Sequence, residues 1–201
     1  MAIRKFLLED PAKPEGPDNE ASRKRIEDAL LELMAEGERL NHDLVAKRAG
    51  LSRRTVYRYH PDRDALLRAL WSRLSPGAAG DKLPRSLTTM LDRQPALFDG
   101  FDKNATAMTV TMASAEGRKM RNAITAERTA AYREALAEET AHLPEPSRTH
   151  AIAAIQLLNS GLAWREMRDQ WSMDGQSIAA TCRWAIETLL KDLEQGGGPP
   201  A

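Results

Sequence analysis

The strongest chemical signal lies in one short stretch that holds Arg53, Arg54, Tyr57, Arg58 and Tyr59. A guanidinium fork matches the O6 and N7 acceptors of guanine or a pair of phosphate oxygens, and a phenol can bond a phosphate while its ring packs on sugar. Within residues 41–63, Lys47, Arg48, Arg53, Arg54, Arg58 and Arg63 stand against only Asp43 and Asp62. The whole chain balances 29 basic against 29 acidic residues, so this basic segment sits on an acidic remainder. Such an asymmetry is the electrostatic footprint of a phosphate-binding surface. Arginines on a short helix are nevertheless most often a solvated face. The reading therefore rests on what positions them.

Other chemistry is sparse. His42, His60, His142 and His150 lie in different segments and form no ligand-spaced pair. Glu138, Glu139 and His142 could share a helix face, where a surface hydrogen bond is the better reading than a metal site. Cys182 stands alone, which excludes an internal disulfide and a zinc cluster, and its place on an apolar stripe points to burial. Ser160-Gly161 lacks a nucleophile-elbow pattern, and there is no glycine-rich phosphate loop. No catalytic constellation and no cofactor are expected. The apolar run at residues 3–8 is too short for a signal-peptide core, no stretch is long enough to span a bilayer, and a reducing cytoplasm fits best.

Hydrophobic residues make up 42% of the chain, and recurrent Ala, Leu, Arg and Glu favour helix over strand, giving an all-α fold. Residues 1–21, with Pro11, Pro14, Gly16 and Pro17, are expected to form a disordered arm. Ile26, Ala29, Leu30, Leu33 and Met34 make one helical stripe that Gly37 can end. Asn41 suits the N-cap of a short helix over about 43–49, in which Val45 and Ala49 face inward and small Ala46 permits close approach. Gly50 supplies a turn, Leu51 plugs the corner, and Ser52 caps a second short helix near Thr55, anchored from beneath by Val56. Pro61-Asp62 opens a further helix with the stripe Leu66, Leu67, Leu70 and Leu74. Arg53 and Arg54, at the N-terminal end of the second helix, should reach base edges. Tyr57, Tyr59 and Arg63 should hold phosphates. Asn41, His42, Thr55 and Arg58 complete the candidate DNA-facing set.

The stretch 44–67, with Ala49-Gly50-Leu51-Ser52, Thr55-Val56-Tyr57 and a basic residue before Ala65-Leu66-Leu67, resembles the DNA-binding signature of tetracycline-repressor-type (TetR family) regulators. The resemblance covers about residues 22–74. It implies a homodimer, a C-terminal helical domain with a ligand cavity, and repression relieved by a small molecule. Two positions depart from the family pattern. Asn41 stands where threonine is common and keeps the capping chemistry. His60 stands where phenylalanine is usual, and it either weakens packing against the following helix or hydrogen-bonds to backbone there.

The resulting expectation is a three-helix helix-turn-helix domain at 22–75, joined through a linking helix to a helical-bundle ligand-binding and dimerisation domain at 85–195, with a flexible tail at 196–201. Pro95, Gly117, Pro144, Pro146 and Gly175 punctuate the second region into four or five helices. Phe101, Ala105, Met108 and Met112 share one face, and Ile152, Ile155, Asn159, Leu162 and Glu166 another. The segment 158–164, Trp171 and the last helix, with Ile178, Cys182, Ala185, Ile186, Leu189 and Leu193, are similar to the family's dimerising pair. Core packing is the first reading of Met108, Met112, Trp164, Met167 and Trp171. A pocket among Met108, Met112, Trp164 and Met167 would take a hydrophobic or aromatic effector. The expected partners are double-stranded DNA with a near-palindromic operator, a second copy of the chain and that effector, with no membrane. Two other classes stay open: a helical small-molecule-binding protein or enzyme with a fortuitous motif, and a DNA-binding regulator controlled by protein partners.

Overall fold

The stripe begun by Ile26 lies along α1 (Pro17–Ala35) in the computed structural model of the chain, which describes residues 17–75 and 83–200. Residues 1–16 of the expected arm lie outside the described residues. The helix starts at Pro17, ahead of the expected residue 22, and proline suits a first helical turn. Gly37, at φ +75°, follows its end.

Three capped helices come next: α2 (His42–Ala49), α3 (Arg53–Tyr59) and α4 (Arg63–Leu74). Each N-cap side chain takes an orphan backbone donor. Asn41 Oδ1 accepts from the Leu44 N–H at 2.9 Å, Ser52 Oγ from Thr55 at 3.0 Å, and Asp62 Oδ1 from Ala65 at 2.6 Å. Between α2 and α3, Gly50 adopts φ +61°, and its N–H closes on the carbonyls of Ala46 and Lys47. The Arg25 guanidinium donates to the Gly50 carbonyl at 2.8 Å, which ties the turn to α1.

Beyond lie α5 (Leu87–Lys103), α6 (Ala105–Ala113), α7 (Ala115–Ala123), α8 (Thr125–Ala135), α9 (Ser147–Leu158), α10 (Gly161–Trp171) and α11 (Gly175–Glu194). This region thus holds seven helices among the described residues, more than the expected four or five, and no strand is described. The extra breaks fall at Asn104, Ser114 and Ile124, which neither proline nor glycine marks. Pro95 instead stands inside α5. A proline there has no N–H for the carbonyl four residues back, and Arg183 Nη1 of α11 donates to that Leu91 carbonyl at 3.1 Å. Gly117 stands in the first turn of α7, where a Cβ would lie 1.8 Å from the Thr111 carbonyl oxygen, so the tight α6–α7 corner needs glycine. The face expected to run from Ile152 to Glu166 is split, because α9 ends before Asn159 and α10 starts at Gly161.

One continuous core runs from Ile26 and Leu30 through Val45, Val56, Leu66 and Leu70 to Phe98, Phe101, Met108, Trp164, Ile178 and Cys182. The N-terminal helices and the bundle therefore share buried surface, α1 packing on α6 and α4 on α7. Asp102 adds a polar clasp: its carboxylate accepts from Trp164 Nε1 at 2.8 Å and from the Gly175 N–H, holding α10 and α11 to α5. A second core gathers Met90, Tyr132, Leu136, Ile152, Ile155, Ile186 and Leu193.

The stretch after Leu136 forms turns, so Glu138, Glu139 and His142 do not share a helix face; His142 Nε2 bonds the Gly197 carbonyl at 3.1 Å. The expected tail is thereby held at Gly197, whose N–H also donates to Asp192 O at 2.9 Å. Among the described residues no helix is long and apolar enough to cross a membrane.

Candidate nucleic-acid interface and inner cavity

Val56 is wholly buried beneath α3, and this anchors the helix with its opposite face outward. Arg53, Arg54, Tyr57 and Arg58 are exposed on that face, and Ser52, Arg54, Thr55, Tyr57 and Arg58 rim a shallow hollow. Arg53 reaches Asp43 at 3.4 Å, with its guanidinium 5.6 Å from the centre of the Tyr57 ring. Both partners of that ion pair are mostly exposed, so it is a weak restraint that a phosphate or base could replace. Asn41 is exposed beside them, and Thr55 shares a hydroxyl contact with Ser52 at 2.8 Å.

Three residues of the expected DNA-facing set are turned inward. His42 is buried: its Nε2 meets the His60 carbonyl at 2.7 Å, and its ring stacks on Tyr57 with centroids 4.1 Å apart. As an N–H donor to that carbonyl it bolts α2 to the end of α3 and forms a platform for the Tyr57 phenol. The Tyr59 hydroxyl donates to Asn19 Oδ1 at 2.8 Å, turning the phenol back toward α1. Arg63 donates from Nε to the Leu40 carbonyl at 3.1 Å, and its Nη2 lies 2.5 Å from Glu116 Oε1 in α7. Its guanidinium is committed within the chain. Position after the recognition helix suggested phosphate contacts for Tyr59 and Arg63, but the local partners are supplied by distant sequence. Arg48 likewise points back, to Glu32 at 3.2 Å and Glu36 at 2.6 Å, and this hydrogen-bonded pair holds the Glu36 carboxyl below its usual range. The basic excess of 41–63 is thus partly neutralised internally, and its outward part concentrates on α3.

His60, the departure from phenylalanine, is half-buried at the end of α3. Burial, and after it the charges of Arg23 and His42, lower its pKa, so the neutral ring is favoured. Its carbonyl takes the His42 bond, and its buried Nε2 has no hydrogen-bond partner.

Inside the bundle, α4 to α9 with the start of α10 line a cavity of about 440 Å³. Leu97, Phe101, Met112 and Ile152 are among its apolar walls. Of the four residues expected to line a pocket, Met112 does so. Met108 and Trp164 are wholly buried in the core, and Met167 packs on it with its sulfur 3.9 Å from Cys182 Sγ. They share apolar faces with the lining, but those faces meet other helices. Burial pushes the Cys182 thiol up to about 11, which makes it a poor nucleophile.

Gln94, Arg121, Arg128 and Tyr132 also line the cavity, and none was singled out from sequence. A signal existed: Gln94 interrupts the apolar series Met90, Leu97, Phe101 at helical spacing, and Arg128 precedes Tyr132 by one turn. Tyr132 donates to the Asn159 carbonyl at 3.3 Å and accepts from Asn159 Nδ2 at 2.9 Å, and burial pushes its hydroxyl up to about 12.

Residues 28–70 match the model of a family described as bacterial regulatory proteins, tetR family. No curated protein matches the chain. Among solved structures, two of NalD from Pseudomonas aeruginosa, described as the secondary repressor of the MexAB-OprM multidrug efflux pump, are similar. The structure of native NalD is 19% identical with a TM-score of 0.55, covering 88% of this chain and 96% of that one. The other is 20% identical with a TM-score of 0.58, covering 89% and 96%. At that identity the likeness attests the fold across the bundle, and the family match is confined to the N-terminal helices. Residues 28–70 therefore carry a domain of the tetR family of bacterial regulatory proteins, within a chain whose fold over most of its length is similar to that of NalD.

Proposed function

We infer that this regulator is a homodimeric, cytoplasmic repressor that inserts α3 of each protomer into the major groove of a near-palindromic operator and is released by a small molecule. The observation that carries the reading is the division of α3: Val56 sealed in the core beneath, and Arg53, Arg54, Tyr57 and Arg58 on the outer face. Arg53 and Arg54 take base edges; Tyr57, Arg58 and Asn41 take the backbone. His42, Tyr59 and Arg63 hold those groups in place. NalD, the similar repressor, supports repression as the sign of the effect.

Dimerisation is supported by large apolar side chains left in solvent on the last two helices, Trp171 (76% exposed) on α10 and Trp184 (69% exposed) on α11, with Leu162 and Leu189 of the same two helices also exposed. Trp171 is therefore not the core residue that its composition suggested. A twofold pair would set its recognition helices about 34 to 36 Å apart to meet successive major grooves.

Release follows if the effector favours a conformation with displaced N-terminal helices. The cavity is lined by Trp71 of α4 and Arg121 of α7, and those two helices are also joined at Arg63 and Glu116. Coupling of about 1 to 3 kcal/mol corresponds to roughly five- to 150-fold in operator affinity. Selection of operator sequences from random DNA, followed by electrophoretic titration, tests the reading. Two protomers per near-palindromic site are expected; one protomer on an asymmetric site would contradict it.

A further inference from the structure

The polar groups of the cavity are distributed by sign. Arg93, Arg121, Arg128 and Arg133 all line it, and among the described lining residues there is no carboxylate. Arg133 is exposed and meets Glu145 at 3.4 Å and Thr149 at 2.9 Å, which accounts for its charge. The two half-buried guanidiniums are different. Arg121 spends one N–H on the Thr111 carbonyl at 2.9 Å, and Arg128 has a buried Nε–H with no acceptor. Burial and the neighbouring charges of Arg128, Arg118 and Arg165 lower the pKa of Arg121, and burial lowers that of Arg128. Such positive charge at an apolar wall is costly unless an anion meets it.

The α5 wall is built for recognition too. Gln94 is 1% exposed, it lines the cavity, and both its amide oxygen and its amide nitrogen lack partners. Trp71 Nε1, on α4, is likewise a buried donor without an acceptor. Buried polar atoms are nearly always paired in proteins, so a cluster of unpaired ones around a single cavity marks a site shaped for a ligand's polar groups.

We propose that the cavity binds an amphipathic anion, an apolar body of small-molecule size whose carboxylate or comparable acid group is met by Arg121 and Arg128, while Gln94 and Trp71 bond a second polar group. The volume lies in the usual range for small-molecule sites. This deepens the effector reading, on which it rests, and replaces the purely hydrophobic or aromatic ligand suggested by sequence. A cationic ligand is excluded by the same charges.

Two fluorescent probes share one apolar body and differ in charge: anilinonaphthalene sulfonate and neutral N-phenylnaphthylamine. Titrated into the full chain, the sulfonate should bind about tenfold or more tighter than the amine. Arg128→Met should remove most of that advantage while leaving amine binding within about twofold, and Arg121→Met should act the same way. Arg121 also braces the α6–α7 corner, so Arg128→Met, which breaks no existing hydrogen bond, decides the matter if Arg121→Met fails to fold. Met112→Trp, which fills the cavity, should abolish binding of both probes. Failure of the sulfonate to bind, equal or tighter binding of the amine, or an advantage that survives Arg128→Met would overturn the proposal, as would binding of both probes that survives Met112→Trp. Operator affinity measured with and without bound sulfonate separates the two ideas: arginine-dependent binding that leaves operator affinity unchanged keeps the ligand class and removes the switch.

Discussion

Arg63, the first residue of α4, and Glu116, in the first turn of α7, meet at 2.5 Å with most of both side chains shielded from solvent. Arg63 follows the recognition helix by only four residues, and Arg121, on the cavity wall, lies on the same helix as Glu116. One ion pair thus connects the element that holds the DNA-reading helix to the element that would feel a ligand. Whether the connection transmits a signal is measurable.

A double-mutant cycle with Arg63→Met and Glu116→Gln should give a coupling energy of about 1 kcal/mol in thermal or chemical unfolding, because the pair is partly buried. Glu116→Gln should also reduce the effect of a bound effector on operator affinity while leaving effector affinity for the free protein within about twofold. An unaltered effector response would show that the signal travels elsewhere.

Arg54→Ala should cost about 1 to 3 kcal/mol on operator DNA and less on random DNA, since the proposed base contact would be lost. Arg53→Ala should behave alike, tempered by release of Asp43 from their 3.4 Å pair. Equal losses on both kinds of DNA, read by fluorescence anisotropy, would reassign these arginines to phosphate.

Tyr59→Phe separates the structural role of Tyr59 from a phosphate contact. Losing the bond to Asn19 should destabilise the protein by about 1 kcal/mol while operator affinity at low temperature stays nearly constant. A large affinity loss without a stability loss would return Tyr59 to the DNA surface.

His60 has a lowered pKa in the folded protein, with burial the largest cause. On acidification the unfolded chain therefore takes up this proton first. The stability associated with the neutral ring is complete above about pH 6.5 and is lost as pH falls toward and through the folded value. His60→Phe should flatten that part of the fall in melting temperature between pH 7 and pH 5.5, and an identical slope in wild type and variant would contradict the assignment.

The turn and the capped helices were legible because their determinants are local. Asn41, Gly50 and Ser52 act on backbone groups within four residues of themselves, so type and spacing suffice. The intrachain partners of His42, Tyr59 and Arg63, which are His60, Asn19 and Glu116, could not be read from spacing because they are set by packing between elements. The cavity was hidden for a related reason. Periodicity separates inside from outside, and Met108 and Met112 look alike to it, yet one lies against helices and the other against the cavity. The breaks at Asn104, Ser114 and Ile124 carry no proline or glycine, while Pro95 is tolerated in mid-helix by a guanidinium from α11.

The most direct measurement is an anisotropy titration of the full chain against its selected operator and against random DNA across a range of salt. Two protomers should bind each operator, with affinity roughly a thousandfold or more above that for random DNA and falling steeply with salt, and Arg54→Ala should narrow that gap. Equal affinity for both duplexes, or no binding at low ionic strength, would contradict a DNA-reading role for the outer face of α3.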